Sequence, residues 1–393
     1  MRFADPRSSE PLKGVRIAQA IECDGPGGAE RVVTHLVTGL IARGAEVVAF
    51  LPRGTEGWLG QQLHGSRATI QQFDLARTFR PGFPGWLTRS LRAHRIDLVH
   101  SHEFTFAVHG AWSAWRLGIG HVATIHGGRY WAGAWRRRAL FRMAVGLGGC
   151  LTAVSETLRG QLAEDLSLRE DSISYIPNGV PCGGGGQREF VRAELGLSSD
   201  ARLALAIGNL YPVKGHRILI EALGILRERH PQLHVAIAGR GGEERVLREH
   251  AERLGVRERV HLLGLRSDVP NLLAAADMFV MPSLNEGLPM ALLEAMCASK
   301  IVVASAVGAI PSVLQNGEVG ILVAAGDGAA LADAMHCVLT EHADMARMAE
   351  RAQAHASAHF SLDRMVEQYV ELYRQEIDGS AKPVQTARSE VER

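Results

Sequence analysis

"VRIAQAIECDGPGGAERVVTHLVTGLIARGAEVVAFL", residues 15–51, contains a complete strand–helix–strand pattern. Apolar residues run almost unbroken through 15–21 and 46–51, which is typical of strands buried on both faces of a sheet. Between them, apolar residues recur at helical spacing through 29–44, and Gly44 suits the end of that helix. Two such strands joined by a crossover helix predict a parallel sheet.

The same alternation recurs along most of the chain. Further buried strands are predicted at 96–101, 121–127, 150–155, 202–210, 232–240, 259–265, 277–283, 300–305 and 320–323. "IPNGVPCGGGGQREF" (176–190) interrupts the pattern, because two prolines and four consecutive glycines suit neither a helix nor a central strand. We place the crossing between two domains in this stretch.

The predicted fold class is therefore α/β, with two doubly wound, Rossmann-like domains that face each other across a cleft. The N-terminal domain is assigned to residues 1–180 and the C-terminal domain to residues 181–360. The amphipathic stretch 361–377 is predicted as a C-terminal helix that packs back on the N-terminal domain. The polar tail 378–393 is predicted to be disordered.

Composition excludes several classes of protein. The net charge of +1 on 393 residues gives no large basic field for nucleic acid. The five cysteines are scattered and form no C-x-x-C, which argues against a disulfide framework or a zinc knuckle and fits a reducing compartment. The N-terminus has no apolar signal segment, and no uncharged apolar stretch reaches about 20 residues. We predict a cytoplasmic protein.

"NEGLPMALLEAMCASKIVVAS" (285–305) places two carboxylates around the start of a helix. Pro289 suits the first turn, and the amides of Gly287 and Leu288 would face a ligand with the positive helix end behind them. Glu294 lies about 12 Å of helical rise beyond Glu286, so the pair suits two ends of one long ligand. The alternative for both glutamates is a surface cap and a solvated helix face.

"GNLYPVKG" (208–215) follows a predicted strand and precedes a helix. Lys214 is one of only four lysines among 43 basic residues. A compact ammonium at this place could stabilise negative charge on a ligand. The alternative is an exposed loop lysine.

Polar residues also end the strands of the N-terminal half. His126 ends the strand at 121–127, and Gly27 and Gly28 precede the first helix, either as a tight turn or with amides facing phosphates or an acceptor. His100 and His102 share one strand face. We predict no metal site, because no convincing third ligand and no D-x-D motif accompany them.

These motifs, in their order, resemble those of the family 4 retaining glycosyltransferases, which have the GT-B fold. The resemblance covers roughly residues 15 to 375 and includes E-G-x-P within E-x7-E. Its other elements are "GPGGAE", "DLVHSHE", "TIHG", "AVSE", "IPNGV", "GNLYPVKG", "AGRGGE", "LGLRSDVPNLLAAADMFVMPS" and "GILV".

The resemblance implies roles for individual residues. Lys214 would hold the donor diphosphate, Glu286 the hydroxyls of the donor sugar and Glu294 the ribose, with His126 beside the reacting sugar. His126, Lys214 and Glu286 are the predicted catalytic residues. The predicted donor-binding residues are Gly27, Gly28, Gly208, Asn209, Lys214, Arg240, Arg266, Glu286, Gly287, Leu288 and Glu294.

The remaining assignments concern the acceptor and one departure from the family pattern. His102 and Arg129 are the predicted acceptor-binding residues. Asn209 stands where the family often has arginine, and Arg240 is our candidate for the missing cation. Arg266, in "LGLRSD", is placed near the base.

The resemblance implies a retaining, metal-independent enzyme that moves a sugar from a nucleotide-sugar donor to a hydroxyl of a glycan or lipid-linked acceptor. Such a reaction belongs to the synthesis of cell-surface polysaccharide or glycolipid. No cofactor is expected, because the nucleotide sugar is a substrate. Two alternatives stay open: a phosphorylase on the same fold, and a non-catalytic sugar-nucleotide-binding protein, for which Asn209 is the only support.

"RYWAGAWRRRALFRMAVGLGG" (129–149) combines tryptophans with a cluster of arginines. One interpretation is an ordinary helix with a basic, solvated face. The other is a surface that meets anionic lipid headgroups, as a peripheral contact at the inner face of the membrane.

Overall fold

The computed structural model describes residues 11–53, 57–78, 82–127 and 133–380. The chain divides into two compact units. The first unit comprises the chain up to Ile176 together with the chain from Met365, and the second comprises Pro177–Arg364.

The first unit is built on a seven-stranded parallel sheet. Its strands are β1 (Arg16–Ala20), β2 (Glu46–Pro52), β3 (Thr69–Phe73), β4 (Leu98–His102), β5 (Gly120–Ile125), β6 (Cys150–Ala153) and β7 (Ile173–Tyr175). They lie in the order β3-β2-β1-β4-β5-β6-β7. The two edge strands, β3 and β7, were not predicted from the sequence.

Six helices follow the strands of this unit in the chain. They are α1 (Gly28–Ala42), α2 (Trp58–Leu63), α3 (Phe83–Ala93), α4 (Glu103–Leu117), α5 (Trp135–Gly146) and α6 (Glu156–Leu166). The apolar side of α1 is buried, as its helical spacing of valines and leucines predicts. Phe50, Phe73, Phe83 and Phe106 belong to one buried cluster between sheet and helices.

The second unit is built on a six-stranded parallel sheet. Its strands are β8 (Arg202–Ile207), β9 (Leu233–Ala238), β10 (Val260–Leu262), β11 (Met278–Met281), β12 (Ile301–Ser305) and β13 (Ile321–Val323). They lie in the order β10-β9-β8-β11-β12-β13. All six strands coincide with stretches that the sequence predicts as strands, because each lies in a mostly apolar run, and the central strands β8, β9, β11 and β12 are largely buried.

The helices of the second unit cover this sheet. They are α7 (Arg188–Glu194), α8 (His216–Leu226), α9 (Glu244–Arg253), α10 (Val269–Ala275), α11 (Met290–Cys297), α12 (Ile310–Val313), α13 (Gly328–Thr340) and α14 (His342–His359). The buried apolar side chains of α8, α9, α13 and the start of α14 form one core with the strands.

The last helix, α15 (Leu362–Ser380), packs against the first unit from Met365 onward. A Cβ placed on Gly39 of α1 would lie 2.6 Å from Val366 Cγ2, so the two helices are in close contact. Tyr369 and Tyr373 are fully buried. The helix extends three residues beyond the predicted end at 377, and the rest of the predicted tail, 381–393, lies outside the described residues.

A disulfide joins Cys182 to Cys297, with their Cα atoms 5.0 Å apart. The cysteine pattern argued against a disulfide framework, and this one disulfide corrects that expectation. The two cysteines are 115 positions apart in the sequence, and only the fold brings the end of α11 against the segment that precedes α7.

Strand order locates the expected ligand site within each sheet. In a doubly wound sheet, ligands bind at the carboxyl ends of the strands where the strand order reverses. That point lies between β1 and β4 in the first unit and between β8 and β11 in the second. Among the described residues, no helix has both the length and the apolar character needed to cross a bilayer.

Candidate active site

Lys214 and Glu286 form an ion pair at the reversal point of the second sheet. Lys214 Nζ donates to both carboxylate oxygens of Glu286, at 2.7 and 2.9 Å. Ser283 Oγ also donates to Glu286 Oε1, at 2.7 Å. The Glu286 side chain is only 7% exposed, whereas Lys214 is 28% exposed. The ammonium is therefore held by a buried carboxylate and stays accessible to solvent.

Gly215 brings the Lys214 loop against the segment that follows β11. Its φ is +65°, a conformation that favours glycine, and a Cβ there would lie 1.9 Å from the Pro282 carbonyl oxygen. His216 begins α8 and donates from Nε2 to the Gly208 carbonyl oxygen, at 3.2 Å. Burial lowers the pKa of His216 to about 4, so it holds the loop as a neutral ring.

The start of α11 carries the other predicted donor-binding groups. Pro289 is the N-cap residue, so the helix begins one residue later than predicted, at Met290. Within the described part of the chain, the amides of Gly287 and Leu288 donate to no backbone acceptor. The carbonyl of Glu286 packs against Gly308, whose Cβ would lie 1.9 Å from that oxygen. These contacts fix the two amides beside the ion pair.

Glu294 lies in the middle of α11 and is half-buried between buried neighbours. It is therefore not on a solvated helix face. The predicted contact of Glu286 and Glu294 with two ends of one ligand stays a prediction.

Two loops after neighbouring strands complete this part of the site. Gly208 and Asn209 follow β8, and Gly208 lies against the aliphatic stem of Lys214, whose Cδ would be 3.5 Å from an added Cβ. Arg240 follows β9 and is exposed, and its carbonyl accepts from the Leu210 amide at 2.9 Å. The Arg240 guanidinium makes no ion pair with the described residues, so its charge is available to a ligand.

Arg266 is placed differently from its prediction as a donor-binding residue. Its guanidinium donates to both carboxylate oxygens of Glu194, at 2.6 and 3.0 Å, and to both of Asp268, at 2.7 and 2.8 Å. These two carboxylates raise the pKa of Arg266, so the guanidinium stays positively charged. Their negative charges balance it. Arg266 therefore joins α7 to the start of α10, and its contact with the donor stays a prediction.

His126 and His102 lie together at the reversal point of the first sheet. Their rings stack 5.2 Å apart, and His102 Nδ1 is 2.9 Å from His126 Nε2. His102 Nε2 is 2.8 Å from Gln19 Oε1 on β1. Both nitrogens of His102 are thus occupied and the residue is fully buried. Its contact with an acceptor stays a prediction.

Glu103 joins this group from the first residue of α4. Its φ is +65°, which is uncommon for a residue with a side chain, and its Oε1 accepts from the His126 amide at 3.2 Å. Burial raises the pKa of Glu103 to about 8, so the carboxyl is protonated at pH 7. Its Oε2 and His126 Nδ1 are buried without hydrogen-bond partners in the described chain.

The loop before α1 is covered by a carboxylate. Glu30 Oε1 accepts from the Gly25 amide at 3.2 Å, and a Cβ on Gly27 would lie 2.3 Å from Glu30 Oε2. A negative charge at this distance disfavours a phosphate at Gly27 and Gly28, and their role as donor-binding residues stays a prediction. Arg129, the other predicted acceptor-binding residue, lies outside the described residues.

Two family models match the chain. The model described as "Glycosyltransferase Family 4" matches residues 26–183, and the model described as "Glycosyl transferases group 1" matches residues 187–355. The chain belongs to glycosyltransferase family 4. It is a glycosyltransferase with the GT-B fold.

Curated relatives of this chain are also named as glycosyltransferases. D-inositol 3-phosphate glycosyltransferase of Corynebacterium urealyticum is 33% identical over 195 residues, 47% of this chain and 46% of that protein. The chain therefore spans about half the length of that relative. The Corynebacterium glutamicum protein of the same name is 28% identical over 342 residues, 83% of this chain and 78% of that protein. Lipopolysaccharide core biosynthesis glycosyltransferase LpsE of Rhizobium meliloti is 27% identical over 351 residues, 88% of this chain and 95% of that protein.

Solved structures share the fold. Anabaena Alr3699/HepE in complex with UDP-glucose superimposes with a TM-score of 0.79 and 24% identity, over 92% of this chain and 99% of that one. A glycosyltransferase from Rickettsia africae gives a TM-score of 0.82 and 20% identity, over 92% and 98%.

Sequence reasoning missed several supporting residues of the glycosyltransferase. Asn178 Nδ2 donates to the Leu288 carbonyl oxygen at 3.0 Å and so fixes the start of α11. The "IPNG" motif pointed to Asn178, but its partner is 110 residues away. Gln19 could not be predicted as a functional residue, because a single glutamine within an apolar strand belongs to no motif.

Proposed function

We propose that the protein transfers a sugar from a nucleotide-sugar donor to a hydroxyl of its acceptor, with retention of configuration and without a metal ion. The observation that carries this proposal is the Lys214–Glu286 ion pair beside the unpaired amides of Gly287 and Leu288. An ammonium and a helix N-terminus together form a site for a diphosphate. A buried carboxylate beside them suits the hydroxyls of the attached sugar.

The proposed reaction exchanges one bond at the sugar for another. The bond between the sugar C1 and the diphosphate oxygen breaks while a new bond forms from C1 to the acceptor oxygen on the same face. The acceptor proton passes to the departing phosphate oxygen. Lys214 and the α11 amides stabilise the negative charge that grows on the diphosphate. Glu286, released from Lys214 by the diphosphate, accepts hydrogen bonds from the sugar.

Relatives support the choice of substrates. One structural neighbour was solved with UDP-glucose, and one relative is named as a lipopolysaccharide core biosynthesis enzyme. We therefore propose a nucleotide-sugar donor and a glycan or lipid-linked acceptor, used in the synthesis of cell-surface polysaccharide or glycolipid on the cytoplasmic side of the membrane.

Donor hydrolysis gives a direct test. The full chain is incubated with UDP-, GDP- and ADP-hexoses, first in a thermal-shift screen and then by NMR of the released sugar. We expect one nucleotide series to raise Tm and its α-linked donor to release α-hexose first. Release of β-hexose would contradict retention. Formation of hexose 1-phosphate from a glycoside and inorganic phosphate would favour a phosphorylase.

Nucleotide affinity tests the prediction that Glu294 binds the ribose. Glu294→Ala should weaken binding of the preferred nucleotide about tenfold or more, because a charged hydrogen bond to ribose is lost. Exposed Glu249→Ala on α9 is the control. Equal affinity of wild type and Glu294→Ala, by calorimetry, would remove Glu294 from the nucleotide site.

We also propose that α5 contacts anionic lipid. Trp135 and Met143 are 68% and 60% exposed, and Arg136, Arg137 and Arg142 are exposed on the same helix. The Arg136 guanidinium lies over the Trp135 ring, 5.3 Å from its centre. Exposed aromatic and apolar side chains among arginines are typical of a helix that lies on a membrane surface.

Vesicle binding tests this contact. Replacing Arg136, Arg137 and Arg138 together by Gln should lower co-sedimentation with phosphatidylglycerol vesicles about tenfold or more, since each basic residue near an anionic surface contributes about 1 kcal/mol. Replacing three exposed arginines of α9, Arg245, Arg248 and Arg253, is the control. Unchanged binding of the α5 variant would exclude the contact.

A further inference from the structure

A continuous chain of hydrogen bonds runs through the interior of the first unit and ends at His126. It links five elements of the unit, including the C-terminal helix α15. Its members, in order from the buried end, are Thr152, Thr124, His100, Tyr373, Gln19, His102 and His126. All of them except His126 are fully buried.

The buried end of the chain fixes the direction of every bond along it. Thr152 Oγ1 donates its one proton to the Ala123 carbonyl oxygen, at 3.3 Å, and a carbonyl can only accept. Thr124, 2.5 Å from Thr152, must therefore donate to it. His100 Nε2 then donates to Thr124 at 2.7 Å, which leaves His100 Nδ1 to accept from the Tyr373 hydroxyl at 2.6 Å.

The direction continues through the glutamine. Because Tyr373 has given its proton to His100, its oxygen accepts from Gln19 Nε2 at 3.1 Å. The amide oxygen of Gln19 then accepts from His102 Nε2. His102 Nδ1 in turn accepts from His126 Nε2. Each hydrogen bond in this series therefore uses a different proton. In the reverse direction, Thr152 would donate to Thr124 and would have no proton left for the Ala123 carbonyl oxygen.

The direction of these hydrogen bonds determines which ring nitrogen of His126 can accept a hydrogen bond from a ligand. Burial lowers the pKa of His126 to about 4 and that of His102 well below its usual value, so both rings are neutral. With its single proton on Nε2, His126 has a bare lone pair on Nδ1. This atom is buried and has no partner in the described chain. An unpaired buried acceptor is costly and points to a ligand that supplies the missing donor.

We propose that this hydrogen-bond chain holds His126 in the Nε2–H tautomer, so that Nδ1 accepts a hydroxyl of the bound sugar, and that Gln19 and Tyr373 are positioning residues. The role of His126 beside the sugar rests on the proposed function. The neighbouring unpaired Glu103 Oε2, protonated at pH 7, can donate to a hydroxyl as well. A hydroxyl is the sugar group that donates and accepts together.

Imidazole nitrogen NMR tests the tautomer without any substrate. In the full chain labelled with ¹⁵N-histidine at pH 7, we expect a protonated Nε2 and an unprotonated Nδ1 at His126. Tyr373→Phe cuts the link between Gln19 and the Ala123 carbonyl. Both directions then become equally available, and we expect mixed tautomers at His126 and His102.

Tyr369→Phe is the matched control. Tyr369 lies one turn earlier on α15, is equally buried, and its hydroxyl contacts Thr124 at 3.0 Å as a side branch. It should leave the tautomer and kcat unchanged, while Tyr373→Phe lowers kcat about 3- to 10-fold at similar KM, as expected for one weakened neutral hydrogen bond. If Tyr373→Phe fails to fold, Gln19→Met breaks the hydrogen-bond chain one link nearer to His126, because it removes the bonds to both Tyr373 and His102.

Three results would overturn the proposal. They are an Nδ1-protonated His126 in the wild type, an unchanged tautomer in Tyr373→Phe, and a mixed tautomer with wild-type kcat. The first two are independent of sugar transfer, so they are separable from a failure of the proposed function.

Discussion

Lys214→Ala should lower kcat about 10²–10³-fold, the usual effect of removing one group that stabilises charge in the transition state. Lys214 Nζ lies 2.7 Å from Glu286 in the second unit and is the accessible cation of that pair. Without it, the departing diphosphate loses the ammonium that stabilises its growing charge, although the α11 amides remain. The measurement is initial-rate kinetics at saturating donor, with KM determined in parallel.

The control must separate chemistry from folding, because Lys214→Ala also leaves a buried carboxylate without its ion-pair partner. Lys300→Ala removes a second half-buried lysine of the same unit, whose Nζ donates to the Ala276 carbonyl oxygen at 3.1 Å. We expect reduced Tm for both variants but normal kcat for Lys300→Ala. Wild-type turnover in a folded Lys214→Ala protein would remove Lys214 from the mechanism.

Gly215→Ala should reduce both stability and activity. A side chain at φ +65° costs about 1–2 kcal/mol. The overlap with the Pro282 carbonyl oxygen, 1.9 Å from the added Cβ, contributes about 1–3 kcal/mol more. We therefore expect the free energy of unfolding to fall by about 2–5 kcal/mol, measured by urea denaturation. We also expect kcat to fall, because the Lys214 loop must move away from the segment that holds Glu286.

Gly255→Ala separates the conformational cost of a side chain at positive φ from the cost of overlap with a neighbouring carbonyl. Gly255 has nearly the same φ, +67°, but an added Cβ meets nothing within 4 Å. This variant should lose only the conformational part, about 1–2 kcal/mol, and retain its activity. Equal losses in Gly215→Ala and Gly255→Ala would show that the contact with Pro282 is unimportant.

The strands of the two sheets illustrate how far a local pattern reaches. Eleven of the thirteen coincide with predicted apolar runs. The two that were missed, β3 and β7, are the edges of the first sheet, and β3 is mostly exposed. An edge strand has one neighbour and is covered less completely, so its sequence does not need a continuous apolar run.

The candidate site also combines features that the sequence predicted with contacts that it did not predict. The residue types at the strand ends, Lys214, Glu286 and His126, were readable as motifs. Their partners were not. Arg266 was predicted to bind the donor but is held by Glu194, 72 residues away. His102 was predicted to bind the acceptor but is enclosed between Gln19 and His126.

The sequence by itself determined the alternation of strands and helices, the two α/β units, and which chemical groups stand at the ends of the strands. Only the tertiary structure decided which of those groups meet: Lys214 with Glu286, Cys182 with Cys297, and Gln19 with Tyr373, 354 residues apart. Apolar spacing acts over a few residues and fixes each element. Contact between distant side chains depends on strand order and helix packing, which arise only when the whole core is buried.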